Sequence, residues 1–365
     1  MGEKMKKICI VADIKGWAFD SIAKKLKKDL SYKYNIDIAY FNRRVESDTF
    51  YEFIESLNNY DLVHFLNRRM LLLINTDVFK TKVKNSGRNI NDYINEHKKR
   101  FTTSVYDYMD IDKDGIKEQK SIFNDYTNSY YVATKKLLEI YNSIKEYKNP
   151  YSLVHDICDG EIYKPYNLER FELDNIKDRC IVIGWCGNST HSGEKDVDLK
   201  GFRTIIKPTV DELIYEGYNI KGYFADRNNN FIQPEEMPKY YNEIDIYVCA
   251  SVHEGTPRPV LESMYSGIPI ISTNVGIVPE SFGKLQKEFI IGDRNNGLND
   301  EEVKNNLKDR IIYLYNNREL FKKLSNENLE SIKVFDGGKT IKEFENFFDV
   351  CLNNNDWYRI FKKIL

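Results

Sequence analysis

Residues 247–280 read YVCASVHEGTPRPVLESMYSGIPIISTNVGIVPE, and their pattern indicates the fold class. An apolar run ends at Cys249–Ala250, and a polar loop containing Glu254 follows it. Pro259 suits the first turn of the next helix, because its missing N–H costs no hydrogen bond there. The helix is expected to stop at Gly267, where a second apolar run begins at once. This order of strand, loop, helix and strand predicts one unit of a parallel α/β sheet.

The same alternation of apolar runs and amphipathic segments continues along most of the chain. In the segment after the first run, Ile22, Leu26 and Leu30 share one helical face. Nine runs of strand length are too many for one comfortable open sheet, so two doubly wound domains are predicted. The predicted strands are Lys7–Ala12, Ile36–Phe41, Asp61–Leu66, Phe101–Tyr106, Ser152–Ile157, Cys180–Trp185, Ile220–Ala225, Ile244–Ala250 and Ile268–Ser272.

The boundary between the two domains is predicted near Lys164–Pro165. A turn-rich Asp159–Gly160 precedes this point, and a charged stretch and the strand CIVIGW follow it. The N-terminal Rossmann-like domain then comprises residues 1–165 and the C-terminal one residues 166–340. Residues 341–365 form a helical segment, and its packing back on the N-terminal domain is a hypothesis.

The composition excludes several classes of protein. Of the 365 residues, 54 are Lys or Arg and 56 are Asp or Glu, giving a formal net charge of −2. No apolar run approaches the ~18 residues that span a bilayer, and no global basic charge favours nucleic acid. Residues 1–110 carry +5 and the remainder −7. Residues 1–110 are therefore better suited than the remainder to contact an anionic partner or a membrane surface. The simpler explanation of this charge difference is that the lysines and arginines lie on solvated helix faces.

Cysteine usage and the N-terminal sequence predict where the protein works. The six cysteines show no pairing at zinc-site spacing, and three lie in predicted strands, as buried thiols in a reducing compartment would. The opening MGEKMKKICIVADIKG reads as a first strand rather than as a signal peptide. We therefore expect a cytoplasmic protein.

The helix near Pro259 is expected to begin at the carboxyl edge of the sheet. Its exposed N–H groups and its dipole suit a phosphate there. Glu254 lies before the helix and Glu262 about one turn inside it. Carboxylates repel phosphate, so these two are better suited to accept hydrogen bonds from hydroxyls on either side of it, such as those of ribose and hexose. The alternative is a helix cap and a surface glutamate.

The spacing of Glu254 and Glu262 is part of a longer pattern. Seven residues separate the two, and SGIPIISTNVGIVPE continues the pattern to Glu280. This block resembles the retaining glycosyltransferases of family four, which have the GT-B architecture of two Rossmann-like doubly wound domains facing across a cleft. Lys15–Gly16 resembles the family's N-terminal glycine loop, which faces donor and acceptor. DGEIYKP at 159–165 resembles the segment that leads into the C-terminal domain.

The resemblance implies roles for residues of this block. Glu262 would bind the nucleotide ribose, and Glu254 would orient the donor sugar. Backbone groups of Gly255, Thr256 and Val260 would line the sugar and the diphosphate.

The resemblance also implies an Arg and a Lys on the diphosphate. Lys200, in DLKGF, matches the Lys and is predicted to stabilise the leaving group. At the Arg position the chain has Trp185 or Asn188, a departure from the family pattern. Asn188 and Ser189 could donate neutral hydrogen bonds, which are weaker than charge-assisted ones. Two arginines are candidates for the missing charge: Arg203 and Arg258.

Many relatives carry a His near the donor sugar in the N-terminal domain. Tyr106–Asp107 stands at the equivalent place in this chain. His64, at the end of an earlier predicted strand, is the catalytic candidate, and a buried core histidine is its alternative. Arg227 follows the strand GYFAD and is predicted to contact the base or phosphates of the donor, unless it is a surface loop arginine.

Residues 110–115, DIDKDG, superficially resemble the start of a calcium-binding loop. Ser121 stands where such a loop requires a bidentate glutamate. We interpret the segment as a polar turn after a strand and predict no metal site.

The resemblance implies a hexosyltransferase-type enzyme of polysaccharide or glycoconjugate biosynthesis. It would transfer a sugar from a nucleotide-diphosphate sugar to an acceptor hydroxyl with retention, without metal or cofactor. A UDP-sugar is favoured over a GDP-sugar, and the acceptor would be a glycan, a lipid-linked molecule or a protein. No nucleic acid partner is expected. Peripheral contact with the inner face of the membrane, through the Lys24–Lys28 face, is a hypothesis.

Two other functions are compatible with the sequence. One is a catalytically silent nucleotide-sugar-binding protein, which the departure at the diphosphate Arg would explain. The other is a different GT-B enzyme, such as a sugar-nucleotide epimerase.

Overall fold

The computed structural model of the protein describes residues 4–190, 197–335 and 337–353. These residues form two compact units. The first unit is built from the chain up to Ile157 and again from Gly338 onward, and the second unit is Cys158–Gly337.

The sequence predicted the boundary near residues 164–165, but the chain leaves the first unit earlier, after Ile157. The segment 159–165 packs within the second unit instead. The Ser266 hydroxyl donates a hydrogen bond to the Tyr163 carbonyl at 3.1 Å, and Gly160 lies so close to the Tyr265 ring that a Cβ there would overlap it. Packing against the second unit therefore sets the boundary.

The first unit contains a parallel sheet of five strands. These are β1 (Lys7–Ala12), β2 (Asn35–Tyr40), β3 (Leu62–Phe65), β4 (Phe101–Val105) and β5 (Ser129–Val132). They are arranged in the order β2-β1-β3-β4-β5. The helices around them are α1 (Ala18–Leu30), α2 (Phe50–Ser56), α3 (Asp77–Asn85), α4 (Ile90–Lys98), α5 (Lys113–Ser121) and α6 (Lys135–Ser143). Ile8–Ala12 of β1 is fully buried, as expected for a parallel strand covered on both faces.

The second unit contains a parallel sheet of four strands. These are β6 (Ile181–Gly187), β7 (Ile220–Asp226), β8 (Ile246–Cys249) and β9 (Ile270–Ser272), in the order β7-β6-β8-β9. Its helices are α7 (Leu173–Ile176), α8 (Lys207–Tyr215), α9 (Met237–Glu243), α10 (Arg258–Tyr265), α11 (Val278–Ser281), α12 (Asp300–Asn316) and α13 (Leu320–Ser331). Strand order reverses between β6 and β8, which marks the usual ligand-binding edge of such a sheet.

The helix α14 (Gly337–Leu352) packs on the first unit. Its Phe344, Phe347 and Phe348 are fully buried, and the ring of Phe347 meets that of Tyr131 with centroids 5.0 Å apart. The three phenylalanines share one helix face because they are spaced three to four residues apart. Residues 354–365 of the predicted C-terminal segment lie outside the described residues.

One predicted strand, Ser152–Ile157, is wrong, and β5 takes its place in the sheet. Leu153 forms a single bridge to β5. The N–H of His155 then donates to the Glu343 carboxylate at 2.9 Å, so the ladder does not continue. β5 itself escaped prediction because it is only four residues long and stands among residues with helical spacing.

Both sheets are parallel and covered by helices, so the predicted α/β fold is confirmed. Within the described ranges, no helix is both long enough and apolar enough to cross a bilayer.

Candidate functional site

The loop between β8 and α10 carries both glutamates that the sequence singled out. Helix α10 begins at Arg258 and has Pro259 in its first turn. Glu254 lies in the loop before the helix, and Glu262 lies one turn inside it. The chain turns away after the helix at Gly267, whose φ of 68° favours glycine. The predicted order of strand, loop, helix and strand is therefore correct.

Glu254 forms an ion pair with Lys200, which follows β6. Lys200 Nζ lies 2.5 Å from Glu254 Oε1, and the Ser251 hydroxyl donates to the same oxygen at 2.8 Å. Only 24% of the Lys200 side chain is exposed. Burial lowers the pKa of Lys200, but the Glu254 carboxylate more than compensates and raises it above its ordinary value. Lys200 is therefore a charged ammonium at neutral pH, held against the loop that leads into α10.

The Lys200 loop is fixed from behind by Gly201 and Arg294. Gly201 has a φ of 66°, and a Cβ there would lie 2.5 Å from the Ala250 carbonyl oxygen. Arg294, with 6% of its side chain exposed, donates to that carbonyl at 2.7 Å and to the Asp198 carbonyl at 3.1 Å. Sequence reasoning missed Arg294 because a single loop arginine after β9 carries no local pattern.

Glu262 is held inside the second unit by a tyrosine. Only 8% of Glu262 is exposed. Its Oε2 accepts a hydrogen bond from the Tyr241 hydroxyl at 2.7 Å, and its Oε1 lies 3.8 Å from Arg258 Nε. Burial, assisted by Cys186 and Glu262, raises the pKa of Tyr241 well above its ordinary value, so the hydroxyl remains a neutral donor. Tyr241 could not be predicted from a local pattern, because it lies on α9 and Glu262 on α10.

A second glycine fixes the loop that contains Gly255 and Thr256. Gly276 has a φ of 48°, and a Cβ there would overlap the Gly255 carbonyl oxygen. That oxygen also accepts a hydrogen bond from the Ile277 N–H at 2.9 Å. The Thr256 hydroxyl oxygen is buried and has no hydrogen-bond partner among the described residues. The loop is thus rigid at Gly255 and retains an unused polar group at Thr256.

Val260 departs from its predicted role. Its side chain is fully buried in the core, and its N–H donates to the Pro257 carbonyl at 2.9 Å. Because this N–H closes the first turn of α10, it is not a free donor for a diphosphate. The prediction is corrected: Val260 supports the start of the helix from the core side.

Asn188 and Ser189 follow β6 and form hydrogen bonds with residues at and just after the end of β7. The Ser189 hydroxyl donates to Asp226 Oδ2 at 2.8 Å, and the Asn228 side-chain amide donates to Asn188 Oδ1 at 2.8 Å. Burial raises the pKa of Asp226, but hydrogen bonds led by that of Ser189 lower it below its ordinary value. The Ser189 hydroxyl is therefore already used as a donor. The following residues of this loop, 191–196, lie outside the described residues.

The missing diphosphate arginine has no direct replacement after β6. Trp185 is buried and stacks on Phe202 with ring centroids 4.1 Å apart, which makes it a core residue. Arg203 Nε donates to the Ser189 carbonyl at 3.0 Å and so braces the loop. Arg227 is exposed at the carboxyl end of β7, where a ligand could reach it.

Gly16 lies just before α1 in the first unit. Its φ is 83°, and a Cβ there would meet nothing within 4 Å. Its N–H donates to Asp20 Oδ2 at 2.7 Å, and the same side chain accepts from the Tyr40 hydroxyl at 2.6 Å. The left-handed turn, rather than close packing, therefore explains the glycine.

The catalytic prediction for His64 is wrong. His64 is fully buried, and its ring stacks on Tyr131 with centroids 5.4 Å apart, with Phe347 and Phe348 at its edges. Its Nδ1 is 3.0 Å from the Thr102 hydroxyl. Burial lowers the pKa of His64 to about 3. A neutral imidazole enclosed by aromatic rings cannot touch a sugar, so His64 is a core residue.

Tyr106 and Asp107 also serve the first unit itself. The Tyr106 hydroxyl is 2.8 Å from the Tyr131 hydroxyl, and Asp107 binds the buried guanidinium of Arg68 at 2.7 and 3.2 Å. In the segment 110–115, the Asp112 side chain caps α5. No group of three or more potential metal ligands occurs in the part of the chain that the structure describes.

Comparisons with known proteins match the part of the chain that carries the two glutamates. The family model "Glycosyl transferases group 1" matches residues 228–330, which include Glu254 and Glu262. Protein CapJ of Staphylococcus aureus is 23% identical over 222 residues, 54% of this chain and 53% of that protein. The O-antigen biosynthesis glycosyltransferase WclY of Escherichia coli is 29% identical over 132 residues, 32% of this chain and 35% of that protein. The matched region thus spans about half or less of each of these relatives.

The solved structures show which fold the chain has. The crystal structure of Anabaena HepE in complex with UDP and glucose superposes with a TM-score of 0.63 at 10% identity, covering 94% of this chain and 99% of that one. At this identity the likeness concerns the fold alone. The chain therefore has the mixed α/β fold of GT-B glycosyltransferases, with a segment matched by the group 1 family model at its candidate site.

Proposed function

We propose that the protein is a glycosyltransferase that transfers a sugar from a nucleotide-diphosphate sugar to an acceptor hydroxyl, with retention at the anomeric carbon. The observation that carries the proposal is the Lys200–Glu254 ion pair in the loop before α10, with Glu262 held one turn inside that helix. The family model match over 228–330 supports it. A UDP-sugar is our preferred donor, because HepE was solved with UDP and glucose.

In this proposal the two glutamates bind hydroxyls on either side of the diphosphate. Glu262, already oriented by Tyr241, accepts hydrogen bonds from the ribose. Glu254 orients the donor sugar, and its bond to Ser251 limits its movement. Because both carboxylates are largely buried, hydrogen bonds to them are stronger than they would be in water.

Lys200 stabilises the leaving group. The bond between the anomeric carbon and the phosphate oxygen breaks, and negative charge grows on the departing diphosphate while the acceptor oxygen bonds to the same carbon. An ammonium has three donors, so Lys200 can bind phosphate while it keeps its bond to Glu254. The positive end of the α10 dipole adds to this stabilisation. The resemblance implies that the leaving phosphate takes the acceptor proton, and these charges allow a mechanism without metal.

A panel of UDP- and GDP-sugars tests the proposal. Release of the nucleoside diphosphate, by hydrolysis or transfer, is measured with and without EDTA, together with the affinity for each nucleotide. Glu262→Ala should weaken nucleotide binding by ~1–3 kcal/mol, the cost of a lost charged hydrogen bond. Glu235→Ala, which removes an exposed glutamate of the same unit, should leave it unchanged. Equal affinity in Glu262→Ala and the wild type would remove the assignment of Glu262.

A catalytically silent nucleotide-sugar-binding protein is the second candidate. It is favoured by the lack of an arginine in residues 184–196, GWCGNSTHSGEKD, where the chain has the buried Trp185 and the hydrogen-bonded Asn188. Nucleotides that stabilise the fold without any release of sugar would support this candidate and overturn the transferase.

We also propose that the protein is cytoplasmic. Ion pairs of the α1 lysines weaken the hypothesis that this helix binds a membrane surface. Lys24 pairs with Asp20 at 2.8 Å, Lys25 with Asp29 at 2.7 Å and Lys27 with Asp37 at 3.6 Å. These carboxylates cancel much of the charge of the Lys24–Lys28 face. Co-sedimentation with anionic vesicles, compared between the wild type and Lys24→Ala/Lys28→Ala, tests whether this face binds a membrane. Equal binding by both would exclude this face.

A further inference from the structure

Two copies of the tripeptide Asn-Arg-Arg follow the strands that flank β1. Residues 41–45 read FNRRV and follow β2, and residues 66–70 read LNRRM and follow β3. In each copy the asparagine side chain accepts a hydrogen bond from the N–H of the second arginine, at 3.1 Å in both. The shared tripeptide Asn-Arg-Arg therefore makes the same side-chain hydrogen bond at two places in the first unit.

Both copies lie at the carboxyl edge of the sheet. β2 and β3 lie on opposite sides of β1, so the strand order reverses here. Loops that leave the strands at such a reversal form the usual ligand crevice of an open α/β sheet. The two copies also touch, because Arg43 Nη1 donates to the Arg69 carbonyl at 3.4 Å.

The arginines of the second copy are neutralised within the unit. Arg68 is only 3% exposed. It donates to the Asp107 carboxylate at 2.7 and 3.2 Å and to the Gln119 side chain at 2.8 Å. Arg69 pairs with Asp110 at 2.5 Å. Contacts within the first unit therefore explain both arginines of the second copy without a ligand.

The arginines of the first copy are not neutralised in this way. Arg43 is partly buried and Arg44 is exposed. No carboxylate of the described residues forms an ion pair with either guanidinium, in contrast to Arg68 and Arg69. Burial lowers the pKa of Arg43, and the nearby Arg69 and Arg44 lower it further; Glu118 and Asp110 oppose this only in part. Neither guanidinium of the first copy is therefore held by a carboxylate of the described residues, whereas both guanidinium groups of the second copy are.

We propose that Arg43, with Arg44 beside it, binds an acidic group of the acceptor, either a phosphate monoester or a carboxylate. The planar guanidinium matches both groups, because it donates two parallel hydrogen bonds to a pair of oxygens. Its contact with the Arg69 carbonyl already orients Arg43. The proposal rests on the proposed function only in naming the ligand as the acceptor.

The test uses the full-length chain and two pairs of probes, each an acidic molecule with its neutral counterpart. Citronellyl phosphate and citronellol represent a lipid phosphate, and methyl glucuronide and methyl glucoside represent an acidic glycan. Dissociation constants are measured by ligand-observed NMR. The acidic member of one pair is expected to bind about tenfold more tightly. Arg43→Ala should remove that preference, and Arg43→Lys should restore part of it, because the charge returns without the fork.

The control is Lys99→Ala, which removes an exposed positive charge just before β4, at the opposite edge of the same sheet. It should keep the preference for the acidic probe. Preference within the first pair supports a lipid phosphate, and preference within the second supports an acidic glycan. Equal binding of acidic and neutral probes, or equal losses in Arg43→Ala and Lys99→Ala, overturns the inference. UDP affinity of the wild type is measured separately, so its absence counts against the proposed function alone.

Discussion

At the scale of single residues, Lys200 carries the largest share of the proposed chemistry. Replacing it by methionine keeps much of its shape but removes the charge and leaves the Glu254 carboxylate without its ion-pair partner. We expect kcat to fall about 10²–10³-fold, as when one preorganised charge-stabilising donor is lost. Donor affinity should fall less, because Glu262 and Tyr241 are untouched.

The matched control is Lys207→Met. Lys207 belongs to the same unit but is 55% exposed and pairs with Asp211 on a helix surface. Steady-state kinetics with the donor identified in the sugar-nucleotide panel would compare the two variants. A kcat for Lys200→Met equal to that of the control would end the assignment of Lys200 to the leaving group.

The pH dependence of the free energy of unfolding tests whether His64 is buried as a neutral imidazole. Its folded pKa is about 3, below the ~6.5 of an unperturbed histidine. The unfolded chain therefore takes up a proton as the pH falls below ~6.5, while the folded chain does not. His64 therefore costs almost no free energy of unfolding above pH ~6.5. The free energy of unfolding then falls as the pH is lowered towards 3, and it is ~1.4 kcal/mol lower at pH 5.5 because of this histidine.

His64→Phe should remove this dependence, because phenyl keeps a ring against Tyr131 but cannot titrate. Urea unfolding of both proteins at pH 7.5 and 5.5 measures it, and the comparison cancels the titration of the other groups. The wild type should lose ~1.4 kcal/mol more than the variant between these pH values. An identical loss in both would mean that His64 is protonated in the folded state.

At the scale of elements, the sequence predicted those parts of the site that depend on local pattern. The β8–α10 loop and its two glutamates follow from a strand end, a proline and a glycine within a few residues of one another. Arg294 and Tyr241 could not be predicted, because each acts on a residue from another element. His64 was misassigned, since alternation along a strand does not say which helix covers it.

A substitution of Gly276 tests the rigidity of the loop between β8 and α10. Alanine there requires a φ near 48° and places a Cβ against the Gly255 carbonyl oxygen, so the loop must shift. We expect a loss of stability and a fall in UDP affinity of about tenfold, because Gly255 lies next to Glu254.

Gly217 offers the matched control for this substitution. Its φ is 90°, but a Cβ there meets nothing within 4 Å. Gly217→Ala should therefore cost only the left-handed conformation, ~1–2 kcal/mol of stability, and leave UDP affinity unchanged. If both variants bind UDP as the wild type does, the contact between Gly276 and Gly255 does not shape the site.

At the scale of the whole molecule, the first unit is discontinuous in sequence. Its sheet comes from the first 132 residues, but α14 joins it only after the chain has passed through the second unit. Phe344, Phe347 and Phe348 fill the same core as Ile8 and Ile10 of β1. A chain that stops before α14 would leave this apolar face uncovered, so the first unit is not complete until α14 is made.

A single substitution in α14 tests this dependence. Phe347 is fully buried and meets Tyr131 and His64 of the first unit. Phe347→Ala should lower the stability of the first unit by ~3–5 kcal/mol, the usual cost of emptying a phenylalanine site in a core. Val334→Ala, at a side chain that is 58% exposed, should have little effect. Hydrogen exchange followed by peptide mass spectrometry would localise the change: faster exchange of β1 and β3 is expected, with β6 and β8 unchanged. Exchange that accelerates equally in both sheets would show that α14 is not a specific part of the first unit.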